Sequence, residues 1–143
     1  MIAIGCDHGG YRLKKVLIQY LEEHQYQYKD LGTNSEDPVD YPIYAKRVVE
    51  SMTTGESERG IIICGTGIGI SIMANRHKKI RAALCSDCFS AQAARLHNDA
   101  NVLALGGRVV DEGLAVDILK IFLETPFSDE ERHLRRVSML EGY

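Results

Sequence analysis

What this chain has little of narrows its function before any motif is read. Positive charge is not in excess: 17 Lys and Arg stand against 20 Asp and Glu, for a net charge of −3. With no basic surplus to displace counterions from a phosphate backbone, a nucleic-acid partner is not expected. No apolar run approaches the roughly 20 residues that cross a bilayer. No signal-like segment precedes the first strand, so a cytoplasmic protein with no membrane partner is expected. Repeats, low-complexity tracts and linkers are absent, and 143 residues fit one domain, 1–143, with a real core. Cysteine is confined to Cys6, Cys64, Cys85 and Cys88. Cys85-Ser86-Asp87-Cys88 has the spacing of a zinc or redox pair, yet structural zinc needs four ligands and no second pair follows. Small thiols buried at strand ends are the simpler reading, with no metal.

What is present is regular. Strand-like and helix-like runs alternate from end to end, the pattern of a parallel α/β sheet. Strands are expected over residues 2–6, 26–31, 60–64, 81–85 and 102–105, the second, more polar one near a sheet edge. Helices are expected over 10–24, 43–53, from the glycine loop to 77, 87–97, 111–123 and 128–140. The first places Leu13, Val16, Leu17, Tyr20 and Leu21 on one face and Lys14, Lys15, Gln19, Glu22 and Glu23 on the other. Helix 111–123 is apolar around so much of its girth that it is either deeply packed or covered by a partner chain. The last helix opens with Ser128-Asp129-Glu130-Glu131, a capping-box signature. Residues 32–42 make a loop long enough to carry function.

The most informative stretch runs from Ile61 to Ile72. An unbroken β-branched run ends in Cys64, followed by Gly65-Thr66-Gly67-Ile68-Gly69 and a helix-compatible segment. Such a run reads as a fully buried parallel strand. Glycines at alternate positions leave the amides of residues 65–69 uncovered at a helix start, where an anionic oxygen can approach. A thiolate is favoured over a thiol at that electropositive end. The loop lacks the lysine of a nucleoside-triphosphate loop and only partly matches a dinucleotide fingerprint, which would follow the first strand rather than the third.

Ligands of open parallel sheets bind beyond the carboxyl ends of the strands. Residues 6–10, 64–69, 86–87 and 106–108 converge there. Asp7-His8-Gly9-Gly10 offers a carboxylate, an imidazole and exposed amides, although Asp and Gly are also ordinary turn residues. Asp40-Tyr41-Pro42 is either a substrate contact or a turn. Arg132 and Arg136, four residues apart, share a helix face that is either solvated or suited to a phosphate dianion. His97-Asn98-Asp99 falls at the nominally opposite edge, a difficulty that a dimer with a shared pocket would resolve.

Taken together and in this order, seven segments closely resemble ribose-5-phosphate isomerase type B. They are 5–10, 40–42, 63–71, Ala74-Asn75, 97–101, Gly107-Arg108-Val109 and Arg132 with Arg136. That family also holds galactose-6-phosphate isomerase subunits and an allose-6-phosphate isomerase. The resemblance implies a flavodoxin- or Rossmann-like three-layer α/β/α sandwich on a five-stranded parallel sheet. It implies a homodimer or dimer of dimers, with the C-terminal helix packed on a partner subunit. It implies metal-free, cofactor-free interconversion of D-ribose 5-phosphate and D-ribulose 5-phosphate through a cis-enediolate. By resemblance Cys64 is the base between C2 and C1, and His97 the acid that opens the furanose ring. Asp7, Tyr41 and Thr66 surround the sugar hydroxyls, while Gly65, Thr66, Gly67, Ile68 and Gly69 hold the enediolate. His8, Arg132 and Arg136 match the phosphate clamp, and Asn98 and Arg108 further ligand positions. One branch of the family carries a glutamate where this chain has Ile70, so Cys64 with Ile70 matches the cysteine branch. The galactose enzymes divide the motif between two subunits, so a chain keeping all of it favours the pentose. A hexose-6-phosphate isomerase is the nearest alternative. A non-catalytic phosphosugar-binding module is the other, and it gives no reason for Cys64, Asp7 and His97.

Overall fold

The computed structural model describes residues 1–142. Five parallel strands form one sheet: β1 (Ile2–Cys6), β2 (Tyr28–Asp30), β3 (Arg59–Cys64), β4 (Ala82–Leu84) and β5 (Val102–Gly106), in the order β2-β1-β3-β5-β4. The three central strands are the continuous apolar runs, buried along almost their whole length. The edge strands have three residues each, and this shortness limits unpaired edge backbone. β2 is thus an edge strand as expected, though shorter than 26–31. The outer pair is ordered β5-β4 where a flavodoxin order has the fourth strand inside the fifth.

Five helices cover the sheet, α1 (Tyr11–Glu23), α2 (Tyr41–Thr53), α3 (Ile68–Asn75), α4 (Cys88–Asn98) and α5 (Glu112–Glu124), and α6 (Glu131–Glu141) packs against α4. α1, α4 and α5 pack on one face through Leu13, Leu17, Ala91, Ala94, Ile118, Leu119 and Phe122. α2 and α3 pack on the other through Ala45, Val48, Val49, Ile70 and Ala74. Crossovers in one direction along the sheet use one face and those in the reverse direction the other, as right-handed connections require. Successive β3 side chains alternate accordingly, Ile61 and Ile63 into the first core, Ile62 and Cys64 into the second. Each fully buried isoleucine contributes about 1.5–3 kcal/mol. α5 meets its apolar girth by deep packing, with Ala115, Ile118, Leu119 and Phe122 fully buried. No helix among the described residues is long and apolar enough to cross a membrane.

Three expectations change. Lys14 is not on the outer face of α1 but 1% exposed. Its ammonium donates to both Asp30 carboxylate oxygens at 2.8 and 3.0 Å, to the Thr33 carbonyl and to Asn34 Oδ1, four acceptors that compensate the buried charge. Asp40-Tyr41-Pro42 is no loop: Asp40 is the N-cap of α2, and proline fits a first turn because its missing N–H had no partner there. Ser128 does not cap α6, which starts at Glu131 with Glu130 as N-cap. The Ser128 hydroxyl pairs instead with His133 Nδ1 at 2.7 Å.

Because β1 feeds α1 on one face and β3 feeds α3 on the other, their outgoing loops diverge. The crevice this opens lies at the carboxyl edge.

Candidate active site

At the carboxyl edge the loops after β1, β3 and β5 meet backbone to backbone. A Cβ placed on Gly9 would stand 2.9 Å from the Gly65 amide nitrogen, and one on Gly107 would stand 2.4 Å from the Gly9 carbonyl oxygen. The contact is locked by Gly107 N–H donating to the Cys64 carbonyl at 2.8 Å and Arg108 N–H to Gly65 at 3.0 Å. Gly67, with φ of +77°, is the left-handed N-cap of α3, a conformation that a Cβ would strain.

Cys64 closes β3 beneath this junction, 5% exposed, and its sulfur accepts the Gly67 N–H at 3.1 Å. The Ile68 N–H turns back to the Thr66 hydroxyl at 3.2 Å. Among the described residues the amides of Gly65, Thr66, Gly69 and Ile70 donate to no group of the chain. That is the expected surplus of donors at a helix start, here directly after the strand end that carries the Cys64 sulfur. Two other thiols end strands in the core. Burial pushes Cys6, at the end of β1, up to about 11, and Cys85, just beyond β4, likewise up to about 11.

Asp7 is buried, its carboxylate accepting the Gly9 N–H at 2.8 Å, so it holds the β1 turn closed. His8 Nδ1 accepts the Val39 N–H at 3.1 Å, which leaves the proton on Nε2, free to donate. The Tyr41 ring lies over Gly69, where a Cβ would stand 2.8 Å from the phenol oxygen. The Arg108 guanidinium lies over Gly65. His8, Gly9, Arg12, Glu36, Gly107 and Arg108 line a hollow of about 420 Å³ beside the cysteine loop. One chain therefore gathers Asp7, His8, Tyr41, Cys64, residues 65–69 and Arg108.

His97, Asn98, Arg132 and Arg136 are elsewhere. α4 runs back along the sheet and delivers His97 and Asn98, both exposed, to the amino edge just before β5. α6 lies beside it: Ser128 N–H donates to the Leu96 carbonyl at 3.1 Å, and Lys79 N–H to the Glu141 carboxylate at 3.2 Å. A five-residue strand, about 16 Å long, separates the two groups. Two arginines brace the amino edge through Asp99, Arg95 Nη1 at 2.9 Å and Arg81 Nη2 at 3.3 Å.

The sequence did not single out His133. It is the buried residue of α6, 5% exposed, with its ring centroid 4.5 Å from that of His97. Desolvation first, then the cations Arg132 and Arg136 with His97, hold its pKa below the ordinary histidine value. Only its place between Arg132 and Arg136 hinted at it.

A model of the family described as Ribose/Galactose Isomerase matches residues 2–140. A Bacillus subtilis protein with the provisional name of sugar phosphate isomerase is 48% identical, over 99% of this chain and 95% of its own length. Ribose-5-phosphate isomerase B of Escherichia coli is 46% identical, over 97% and 93% of the two chains. The solved structure of Clostridium thermocellum ribose-5-phosphate isomerase B superposes with a TM-score of 0.96 at 47% identity, covering 99% of this chain and 95% of the other.

Proposed function

Because this chain belongs to the ribose/galactose isomerase family of sugar phosphate isomerases, we propose that it interconverts D-ribose 5-phosphate and D-ribulose 5-phosphate through a cis-enediolate. The observation that carries this reading is the Cys64 sulfur, slightly exposed and accepting the Gly67 N–H, at the head of a loop whose Gly65, Thr66, Gly69 and Ile70 amides have no acceptor among the described residues. A proton beside a carbonyl is too weak an acid for a side chain unless the developing oxyanion is held. One positioned donor contributes about 3 kcal/mol to that, and four amides of the loop and helix start that follow Cys64 have no acceptor among the described residues. Cys64 removes the C2 proton and returns it to C1. Asp7, Tyr41 and Thr66 orient the hydroxyls, and Arg108 covers the loop. Ile70, where one branch of the family places a glutamate, is fully buried, which leaves the thiol as the available base.

His97 opens the ring, Asn98 contacts the sugar, and Arg132 and Arg136 join His8 on the phosphate. For those four residues we propose a second copy of the chain, which brings its amino edge to this carboxyl edge. Leu134, Met139 and Leu140 are exposed on α6, an apolar surface suited to burial against that copy. Remote phosphate binding then holds the reacting carbon against the thiol.

Incubation with D-ribose 5-phosphate, followed by ketose absorbance, tests the reading directly, with D-allose 6-phosphate run in parallel. Faster turnover of the pentose is expected. Turnover of the hexose alone would move the assignment to the six-carbon substrate, and turnover of neither would remove it.

A further inference from the structure

The hollow beside the cysteine loop holds one cation that the proposed reaction leaves unused. Arg12, on the first turn of α1, lines it together with His8 and Arg108, and the acidic side chain there is Glu36. Arg12 Nε donates to Glu36 Oε1 at 2.5 Å, although both side chains are largely exposed. Glu36 rides on the 32–40 loop, which is pinned at both ends. Lys14 holds Thr33 and Asn34, and the Val39 N–H is held by His8. The carboxylate is thus carried to the mouth of a cationic hollow by a fixed loop. There it meets a guanidinium whose planar fork fits a phosphate equally well.

Resting on the sugar phosphate reading, we propose that Arg12 is a further substrate-binding residue for the phosphate dianion. Glu36 is the internal carboxylate that occupies Arg12 until the phosphate displaces it. Two guanidiniums and the His8 Nε2–H in one hollow give a dianion more donors than one carboxylate uses. When displaced, Glu36 turns to water and to Lys15, which already exerts a weaker pull on it.

Opposed signs make the test. Arg12→Gln should raise KM for D-ribose 5-phosphate about three- to fivefold, the scale of a solvent-screened charge pair. Glu36→Gln should lower it by about twofold, because Arg12 then waits unpaired. Arg12→Lys should restore part of the loss. Lys120→Gln, an equal charge change at an exposed position of α5, controls for net charge. If Arg12→Gln and Glu36→Gln move KM in the same direction or not at all, or if Lys120→Gln reproduces the Arg12 effect, the proposal falls. A second arm needs no turnover: the rise in unfolding temperature in inorganic phosphate over chloride at matched ionic strength. That rise should shrink in Arg12→Gln and grow in Glu36→Gln. Unchanged in both variants, it overturns the Arg12 assignment even if the wild type isomerises. Should the wild type not turn over sugar phosphate, the reaction reading fails by itself and the phosphate arm still decides Arg12.

Discussion

At the carboxyl edge three loops touch through backbone, Gly9 on Gly65 and Gly107 on Gly9, and free loop amides stand beside the side chains of Asp7, His8, Tyr41 and Arg108. At the amino edge the contacts are made by long side chains: Arg81 and Arg95 on Asp99, Arg81 on Glu141, and His133 against His97. Backbone donors cannot rotate away, so the first edge holds a fixed cradle of loop amides beside the Cys64 sulfur. The second presents exposed His97, Asn98, Arg132 and Arg136 on helices that end in solvent. Under the proposed reaction, one edge would hold the reacting atom and the other would reach across to the ligand. A two-fold pair of chains would bring the two kinds together twice.

The contrast breaks most readily at the thiols. Cys64→Ala should lower turnover of D-ribose 5-phosphate by about a thousandfold, the share of a positioned general base. Cys6→Ala, at a fully buried thiol on the neighbouring strand, should cost only about 1–2 kcal/mol of stability and spare turnover. Equal losses in the two would show that the cradle confers nothing particular on Cys64. Complementation comes next. Cys64→Ala and His97→Ala are each expected to be nearly inactive. Co-expressed as mixed dimers they should recover about a quarter of wild-type activity, since half the dimers are mixed and each has one intact site. No recovery would confine the site to a single chain.

Sequence pattern carried the sheet and its helices well, because buried parallel strands such as residues 61–64 are apolar on both faces and announce themselves. It carried Asp7, Cys64 and the glycine loop for a related reason: these residues lie on or directly after such strands, where topology places ligands. Lys14 escaped because a helical pattern assigns lysine to water. Its burial depends on Asp30, Thr33 and Asn34, which arrive from another element. His133 escaped because its environment is made by Ser128 and His97, the latter on a different helix. Ser128 misled for the same reason, its hydroxyl being taken by that histidine rather than by a helix end.

The cradle itself is tested at Gly107. A methyl group there meets the Gly9 carbonyl at 2.4 Å, and neither backbone can yield without moving the loops that carry Asp7 and Gly65. Gly107→Ala should therefore lower turnover by about a hundredfold, the scale of a misplacement near 1 Å, and lower the unfolding temperature as well. Gly113→Ala is the control, since the nearest atom to its added Cβ is 3.6 Å away. Retained activity in Gly107→Ala would show that the junction is soft and that the contrast between the edges is overdrawn.

The smallest effect belongs to the amino edge. Burial, then Arg132 and His97, hold the His133 pKa below its ordinary value in the fold, against a weaker pull from Glu130. The unfolded chain, with an ordinary histidine pKa of about 6.5, takes up this proton more readily than the folded one. Stability from this residue is therefore present above about pH 6.5 and is lost as the pH falls through and below that value. Unfolding temperature should hold between about pH 8 and 7 and then decline on acidification. In His133→Gln, where the side chain can still meet the Ser128 hydroxyl but cannot titrate, the decline should be shallower. An identical slope in wild type and variant would mean that the imidazole accepts its proton without cost. The packing of His97 on a neutral ring would then not be what orders this edge.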